Sequence, residues 1–272
     1  MENATLKCIV RYNGAPFAGW QRQPGQRTVQ GEIEGALSRI ANSPIAIQGA
    51  GRTDAGVHAL GQVFSCQWPG TPPSRLAHAV SCMLAPDIHL VSVEAAQPDF
   101  NARFDAQWKR YVYAFDFGRV ADPFSACFAW HVPYRVDLDL MRKTLKQFVG
   151  AHDFAGFQSA GSQIRETKRT IYAAELLHGG FCGPTDNDCL YRIELTGDGF
   201  LYKMVRNICG TLVEVARGRF TPAFAGQLLA AGDVFRGHCA PPHGLALATV
   251  SYDPYPGGAA LDDADCATLS RL

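Results

Sequence analysis

The chain has 272 residues, of which 47% are hydrophobic and 18% are charged, and its formal net charge is zero. This length accommodates one large domain or two small ones around a sizeable core. The neutral charge disfavours proteins that are basic over their whole surface, as many nucleic-acid binders are. A local basic cleft is still compatible with it, because acidic residues elsewhere, such as Asp262, Asp263 and Asp265, would balance the charge.

Nine cysteines are scattered along the chain without a CxxC pair, which is typical of free thiols in a reducing compartment. The N-terminus lacks a charged segment followed by an apolar one, and no apolar stretch reaches the ~20 residues that cross a bilayer. These features predict a cytoplasmic protein without membrane association. Two short groups, Cys182 with Cys189 and His238 with Cys239 and His243, lack the second half of a structural zinc site, so no metal is expected.

The N-terminal part of the sequence alternates between strand and helix patterns. Apolar residues at a period of two predict strands, and apolar residues at helical spacing predict helices. The predicted strands are 6–13, 45–48, 62–68 and 88–93, and the predicted helices follow Thr28 and Pro73. The order strand, helix, strand, strand, helix, strand is typical of ferredoxin-like and RRM-like sheets.

The remaining sequence repeats this pattern loosely. The predicted strands are 110–117, 170–177, 190–195 and 245–252, and the predicted helices are 138–149, 201–217 and 223–231. Residues 179–188 are typical of a hairpin tip, and the last fifteen or so residues of a loose tail. We therefore expect an α+β fold of two related ferredoxin-like or RRM-like halves, 1–105 and 106–272, with largely antiparallel sheets joined around a central cleft.

The segment GAGRTDAGVHALGQV, at residues 49–63, places four glycines around one carboxylate, Asp54. Glycine permits positive φ and close approach of another backbone, but such density between two short strands lowers stability. The spacing matches neither a GxGxxG fingerprint nor a phosphate-binding P-loop. On these residues alone, two interpretations stay open. One is a tight turn with Asp54 as turn former, and the other is a rigid loop that presents the carboxylate to a substrate.

The same segment resembles the signature of the tRNA pseudouridine synthase A (TruA) family. Four further stretches resemble this family in the same order along the chain: YNGAPFAGWQRQ (12–23), FNARFDAQWKRYVY (100–113), GFLYKMVRNICG (199–210) and PPHGLALATVSY (241–252). One departure is Lys203, at a position where the family usually has histidine or asparagine. This departure leaves the aspartate motif intact.

The resemblance implies a cofactor-independent isomerase that converts uridine to pseudouridine in the anticodon stem-loop of tRNA, at positions 38, 39 and 40. It implies that Asp54 is the catalytic nucleophile or base and that Arg206 pairs with it. It also implies that Tyr111 stacks on the target uracil, with removal of the C5 proton as a further role, and that Arg52 helps to flip the nucleotide or fills the place that it leaves. Structural interpretations stay open beside these, since Tyr113 shares the face of Tyr111 and Arg52 could itself pair with Asp54. The family also implies a homodimer that holds one anticodon arm across both subunits.

Other basic residues could follow the phosphate backbone of an RNA. They are Arg22, Arg27, Lys109, Arg110, Arg165, Lys168, Arg169, Arg217 and Arg219. His58 is expected to be structural or to contact RNA, and not to act as an acid or base. Two other function classes compete with the isomerase. A catalytically silent RNA-binding protein would leave the glycine-surrounded Asp54 unexplained, and a metal-dependent hydrolase using Asp54, His58 and the HCAPPH segment lacks suitable ligand spacing.

Overall fold

The computed structural model describes residues 3–161, 165–182, 187–231 and 237–256. The predicted loose tail lies outside these residues, and the predicted hairpin tip at 179–188 is described only at its two ends. Within the described part of the chain, no helix combines the length and the apolar character needed to cross a membrane.

One mixed, mostly antiparallel sheet of ten strands organises the described residues. Its strands are β1 (Asn3–Tyr12), β2 (Ile47–Gly49), β3 (His58–Pro69), β4 (Ile88–Ala95), β5 (Trp108–Asp116), β6 (Trp130–His131), β7 (Gly150–Asp153), β8 (Lys168–His178), β9 (Leu190–Gly197) and β10 (Leu245–Ser251). The main path runs β4-β1-β3-β10-β5-β9-β8-β7, with β2 beside β3 and β6 beside β5. The eight predicted strands are confirmed. The strands β6 and β7 are not predicted, because so few residues show no period.

Five α-helices accompany the sheet in the described ranges: α1 (Val29–Ala41), α2 (Leu76–Leu84), α3 (Leu138–Leu145), α4 (Met204–Ala216) and α5 (Ala223–Ala231). Thr28 caps α1, because its side chain accepts a hydrogen bond from the backbone N–H of Gly31. The predicted helix 138–149 is too long, since a 3-10 turn follows α3 at Lys146–Phe148. The predicted helix 201–217 begins too early, because Lys203 has a left-handed φ of 58° and the α-helix starts after it.

The strands of the N-terminal part join those of the C-terminal part in the middle of the sheet, where β3 pairs with β10 in parallel through His58↔Ala246 and Ala59↔Leu247. Leu247 also pairs with Tyr111 on β5, so one row of the sheet runs from Ala59 through Leu247 to Tyr111. A large apolar core extends across this junction. Since parallel strands begin at the same edge of a sheet, the loop before β3 and the turn before β10 lie at one edge.

Gly210 lies in α4, directly against the chain at 238–240, and a Cβ there would clash with the carbonyl oxygen of His238. We expect Gly210→Ala to lower the free energy of unfolding by about 3 kcal/mol or more, because backbone must move. Gly35 is the matched control, since it lies exposed in α1 with no atom near its Cβ position. Gly35→Ala should raise the free energy of unfolding by roughly 0.5–1 kcal/mol. Urea denaturation measures both changes, and a neutral Gly210→Ala would contradict the close contact.

Candidate active site

The Asp54 loop, residues 49–57, is tied down beside its carboxylate. The backbone N–H of Trp20 donates to the carbonyl oxygen of Thr53 at 3.0 Å. The hydroxyl of Tyr12 and Oγ1 of Thr53 share a hydrogen bond of 2.8 Å. Burial raises the pKa of Tyr12 to about 12, so this hydroxyl is neutral at physiological pH. These bonds hold the residue before Asp54 in one place and restrict where the carboxylate can lie.

Steric contacts explain why glycine occupies two positions of this loop, Gly49 and Gly56. A Cβ at Gly49 would lie 2.6 Å from the ring of Trp20, a distance that real Cβ atoms do not show. Gly56 has a φ of 77°, where L side chains are strained, and its Cβ would lie 3.0 Å from Pro242. The glycines therefore let the loop lie directly on an aromatic ring on one side and on the turn before β10 on the other.

Asp54 forms an ion pair with Arg206 of α4, with Oδ2 and Nη1 3.2 Å apart. The Asp54 side chain is 25% exposed and that of Arg206 is 12% exposed, so the pair lies in a partly buried site that solvent reaches. The guanidinium Nε of Arg206 donates to the carbonyl oxygen of Ala240 at 2.7 Å. This second bond orients Arg206, which joins the Asp54 loop to helix α4.

Tyr111 and Tyr113 lie on one face of β5, but their surroundings differ. Tyr113 donates from its hydroxyl to the carbonyl oxygen of Pro241 at 2.9 Å, which fixes it in the sheet. Tyr111 is buried and meets the ring of Phe200 edge to face at 5.0 Å, and its hydroxyl has no hydrogen bond within the described residues. Burial, with smaller contributions from Tyr12 and Asp54, raises the pKa of Tyr111 well above its ordinary value. Of the two tyrosines on this strand face, Tyr111 is therefore the one whose hydroxyl is not bonded to backbone within the described residues.

Arg52 is exposed, and within the described ranges its side chain makes no ion pair or hydrogen bond. The alternative in which Arg52 pairs with Asp54 is therefore wrong for this structure, because Arg206 occupies that role. The guanidinium of Arg52 is left available at the surface, two residues before the carboxylate.

His58 has a structural environment. The backbone N–H of Gly14 donates to Nδ1 at 3.1 Å, and Nε2 lies 3.1 Å from the carbonyl oxygen of His243. The neutral ring therefore carries its proton on Nε2, from which it donates to His243. Burial lowers the pKa of His58, which favours this neutral form. Both ring nitrogens are engaged by backbone, as a structural histidine requires.

The two cysteine and histidine groups noted in the sequence have ordinary surroundings. His238 stacks on the ring of Trp130, with centroids 5.2 Å apart. Cys182 and Cys189 are both free and exposed. In the described part of the chain, no group of three or more His, Cys, Asp or Glu side chains is placed to hold a metal ion.

Lys109 and Arg110, which the sequence suggested as phosphate contacts, are directed into the protein. Lys109 donates from Nζ to the carbonyl oxygen of Ala50 at 2.8 Å. Arg110 donates from Nε to Oγ1 of Thr196 at 3.0 Å and lies 3.7 Å from a carboxylate oxygen of Glu194. The contact of Lys109 with the Asp54 loop was not foreseen. Its only signal in the sequence is that Lys109 lies two residues before Tyr111, on the same strand face.

Several other basic candidates already have acidic partners. Ion pairs join Arg22 to Glu34, Arg27 to Asp87, and Arg217 and Arg219 to Glu214. An RNA phosphate would compete with these carboxylates for the same guanidinium groups. Arg165 and Lys168 are exposed, and Arg169 donates to the carbonyl oxygens of Glu166 and Lys168.

Known proteins are similar to this chain over most of its length. The family model described as tRNA pseudouridine synthase matches residues 8–105 and 144–253. The tRNA pseudouridine synthase A of Brevibacillus brevis is 41% identical over 249 residues, which are 91% of this chain and 99% of the relative. The protein of the same name from Exiguobacterium sp. is 39% identical over 250 residues, which are 91% of this chain and 98% of the relative.

Solved structures are more distant. An H/ACA ribonucleoprotein bound to a substrate RNA covers 78% of this chain and 43% of its own, at 14% identity and a TM-score of 0.33, which is too low to support a structural argument. The sequence matches define the class of protein, an isomerase that modifies uridine in tRNA. The chain belongs to the tRNA pseudouridine synthase family.

The ion pair between Asp54 and Arg206 should contribute to stability. Arg206→Met leaves a partly buried carboxylate unpaired, and we expect the free energy of unfolding to fall by about 1–3 kcal/mol after allowing for solvent. In an Asp54→Asn background, the same change should cost less, because no charge is left behind. The control is Arg142→Met, which breaks an exposed pair with Asp139 and should cost under ~0.5 kcal/mol. Equal costs of Arg206→Met in both backgrounds, measured by urea denaturation, would show that the two side chains are not coupled.

Proposed function

We propose that this chain isomerises uridine to pseudouridine in the anticodon stem-loop of tRNA, at positions 38, 39 and 40. We propose Asp54 as its catalytic nucleophile or base. The observation that carries this assignment is the convergence of three side chains from separate elements. Asp54 lies on the glycine-rich loop, Arg206 on α4 is paired with it, and Tyr111 on β5 lies in the same row of the sheet as Ala59, five residues after Asp54.

The reaction needs a carboxylate and no cofactor. The bond between C1′ and N1 breaks, the uracil turns, and a bond forms between C1′ and C5. C5 loses a proton and N1 gains one, so no oxidant, reductant or departing group is involved. The carboxylate of Asp54 can promote this by attacking C6, by attacking C1′ or by removing the 2′ proton. Arg206 supports each route, because a guanidinium 3.2 Å away offsets the cost of a negative charge in a partly buried site.

Tyr111 is proposed to stack on the extruded uracil. Its raised pKa keeps the phenol neutral at physiological pH, and a neutral phenol is a poor base for the C5 proton. Its ring is a suitable platform, since aromatic side chains stack on unpaired bases. Phe200, edge to face at 5.0 Å, restricts the ring from behind. These features favour a stacking role over removal of the C5 proton.

Arg52 is proposed to assist nucleotide flipping or to fill the place that the flipped base leaves. Its exposure, its lack of an ion pair among the described residues and its position two residues before Asp54 support this role. A cation held loosely beside the reactive carboxylate can follow the RNA backbone as the nucleotide leaves the stack.

We further propose that the fold consists of two related halves, 1–105 and 106–272, joined around a central cleft. The order β4-β1-β3-β2 on one side corresponds to β10-β5-β9-β8 on the other. In the N-terminal part these are the fourth, first, third and second strands, and the C-terminal part has the same order when the short strands β6 and β7 are left out. The ion pair of Asp54 and Arg206 connects the two parts, which is where a shared cleft would place its reactive groups.

The reaction and the role of Asp54 can be tested together. Purified protein and an unmodified tRNA transcript are incubated with EDTA, and pseudouridine at positions 38, 39 and 40 is mapped. We expect full activity in EDTA, and a loss of ~10³-fold or more in Asp54→Asn with tRNA affinity unchanged, because only the reactive group is removed. Asp139→Asn, which alters an exposed carboxylate on α3, is the control and should keep full activity.

The possible results separate the function classes. Turnover by Asp54→Asn at the wild-type rate would contradict the catalytic assignment. Loss of product in EDTA would point to a metal-dependent reaction. Binding of tRNA without any product from the wild-type protein would identify a silent RNA-binding protein.

We propose that the chain works in the cytoplasm as a homodimer that holds one anticodon arm across both subunits. The free cysteines of the described residues fit a reducing compartment. A dimer would let a chain of zero net charge build one basic groove from two copies. Light scattering at assay concentration should give about twice the mass of one chain. A fully active monomer would contradict this.

A further inference from the structure

Lys109 is directed from β5 into the Asp54 loop. It pairs with Gly197 of β9 and Val250 of β10, so neither neighbouring strand offers a charged partner at this position. Its Nζ instead donates to the carbonyl oxygen of Ala50 at 2.8 Å, and the Cβ position of Gly51 lies 3.6 Å from Nζ. The lysine side chain thus lies directly on the loop.

The charged groups near Lys109 do not stabilise its ammonium beside the loop. Burial, with smaller contributions from Arg103, in the segment before β5, and Arg169, on β8, lowers its pKa to about 8. Neither Arg52 nor Asp54 of the loop is among the causes of this shift. A partly buried ammonium near two like charges is unfavourable, so the hydrogen bond to the loop is the interaction that offsets this cost within the described residues.

The loop carbonyls are engaged in succession. Nζ of Lys109 donates to the carbonyl oxygen of Ala50, and Nε2 of Gln62 donates to the carbonyl oxygen of Gly51 at 2.9 Å. The bond from Gln62 comes from β3, which continues the loop itself, whereas the bond from Lys109 comes from the strand that carries Tyr111. Lys109 therefore provides a direct side-chain link between that strand and the loop that carries Asp54.

We propose that Lys109 is a positioning residue that fastens the Asp54 loop to the strand of Tyr111 and thereby sets the separation of the carboxylate from the stacked base. This rests on the roles proposed above for Asp54 and Tyr111. Lys109 acts through the loop and does not touch the RNA. Its loss therefore lowers kcat and leaves tRNA affinity unchanged, whereas a phosphate contact would behave in the opposite way.

The test compares Lys109→Met, which keeps the apolar stem and loses the donor, with Lys109→Arg, which keeps a cationic donor. Lys143→Met on α3 is the control for loss of one exposed positive charge. We expect kcat of Lys109→Met to fall by about 10- to 100-fold, with Lys109→Arg recovering most of that loss. The Kd for tRNA, measured in an Asp54→Asn background, should stay within about twofold, and its salt dependence should not change.

The outcomes divide clearly. A raised Kd with a shallower salt dependence and an unchanged kcat would make Lys109 a phosphate contact and overturn the proposal. Wild-type kcat and Kd in Lys109→Met would also overturn it. An active Asp54→Asn contradicts the proposed function, whereas an inactive Asp54→Asn together with wild-type kcat in Lys109→Met contradicts only the role of Lys109.

A second measurement avoids any folding defect of Lys109→Met, because it uses the wild-type protein and Lys109→Arg on the same tRNA. Above about pH 8 the wild-type ammonium loses its proton, and a neutral donor forms a weaker bond than a charged one. We expect the wild-type kcat to fall by about 3- to 10-fold as the pH rises through this range. In Lys109→Arg the decline should move to higher pH. Identical profiles for the two proteins would overturn the proposal.

Discussion

The parallel pairing of β3 with β10 is the constraint on which the site depends. It consists of two residue pairs, and one of them places Leu247 between Ala59 and Tyr111 in a single row. Since neighbouring strands lie about 4.8 Å apart, Ala59 and Tyr111 are separated by roughly 10 Å. Asp54 lies five residues before Ala59, so this junction brings the loop of Asp54 close to the strand of Tyr111.

Contacts between distant segments then hold the loop at this junction. Arg206 reaches Asp54 from α4, Lys109 reaches Ala50 from β5, and His58 bridges two backbone segments. A neutral hydrogen bond contributes about 0.5–1.5 kcal/mol and one to a charged group about 1.5–3 kcal/mol, and all of these bonds depend on the same placement of the loop. The carboxylate is therefore held by shared geometry and not by one strong interaction.

Local patterns were sufficient for most of the secondary structure. The alternation in β1 and the Thr28 cap of α1 depend on neighbours in the sequence, so the sequence predicts them well. The late start of α4 depends on the left-handed backbone of Lys203. The residue type does not predict this conformation, because lysine rarely has a positive φ. The strands β6 and β7 exist only through their pairing with β5 and β8.

The sequence by itself determined the family and singled out Asp54 as the candidate carboxylate, because ordered motifs and four glycines around Asp54 are properties of adjacent residues. Tertiary structure decided which side chains lie together around Asp54. Tyr111 and Tyr113 lie on one strand face, and only partners from remote segments, Phe200 and Pro241, distinguish them. Packing of distant segments likewise decided that Arg206 is the cation beside Asp54 and that Lys109 contacts Ala50. A side chain in a pattern of period two has a known face, but the group that it meets across the sheet is set by how distant segments pack.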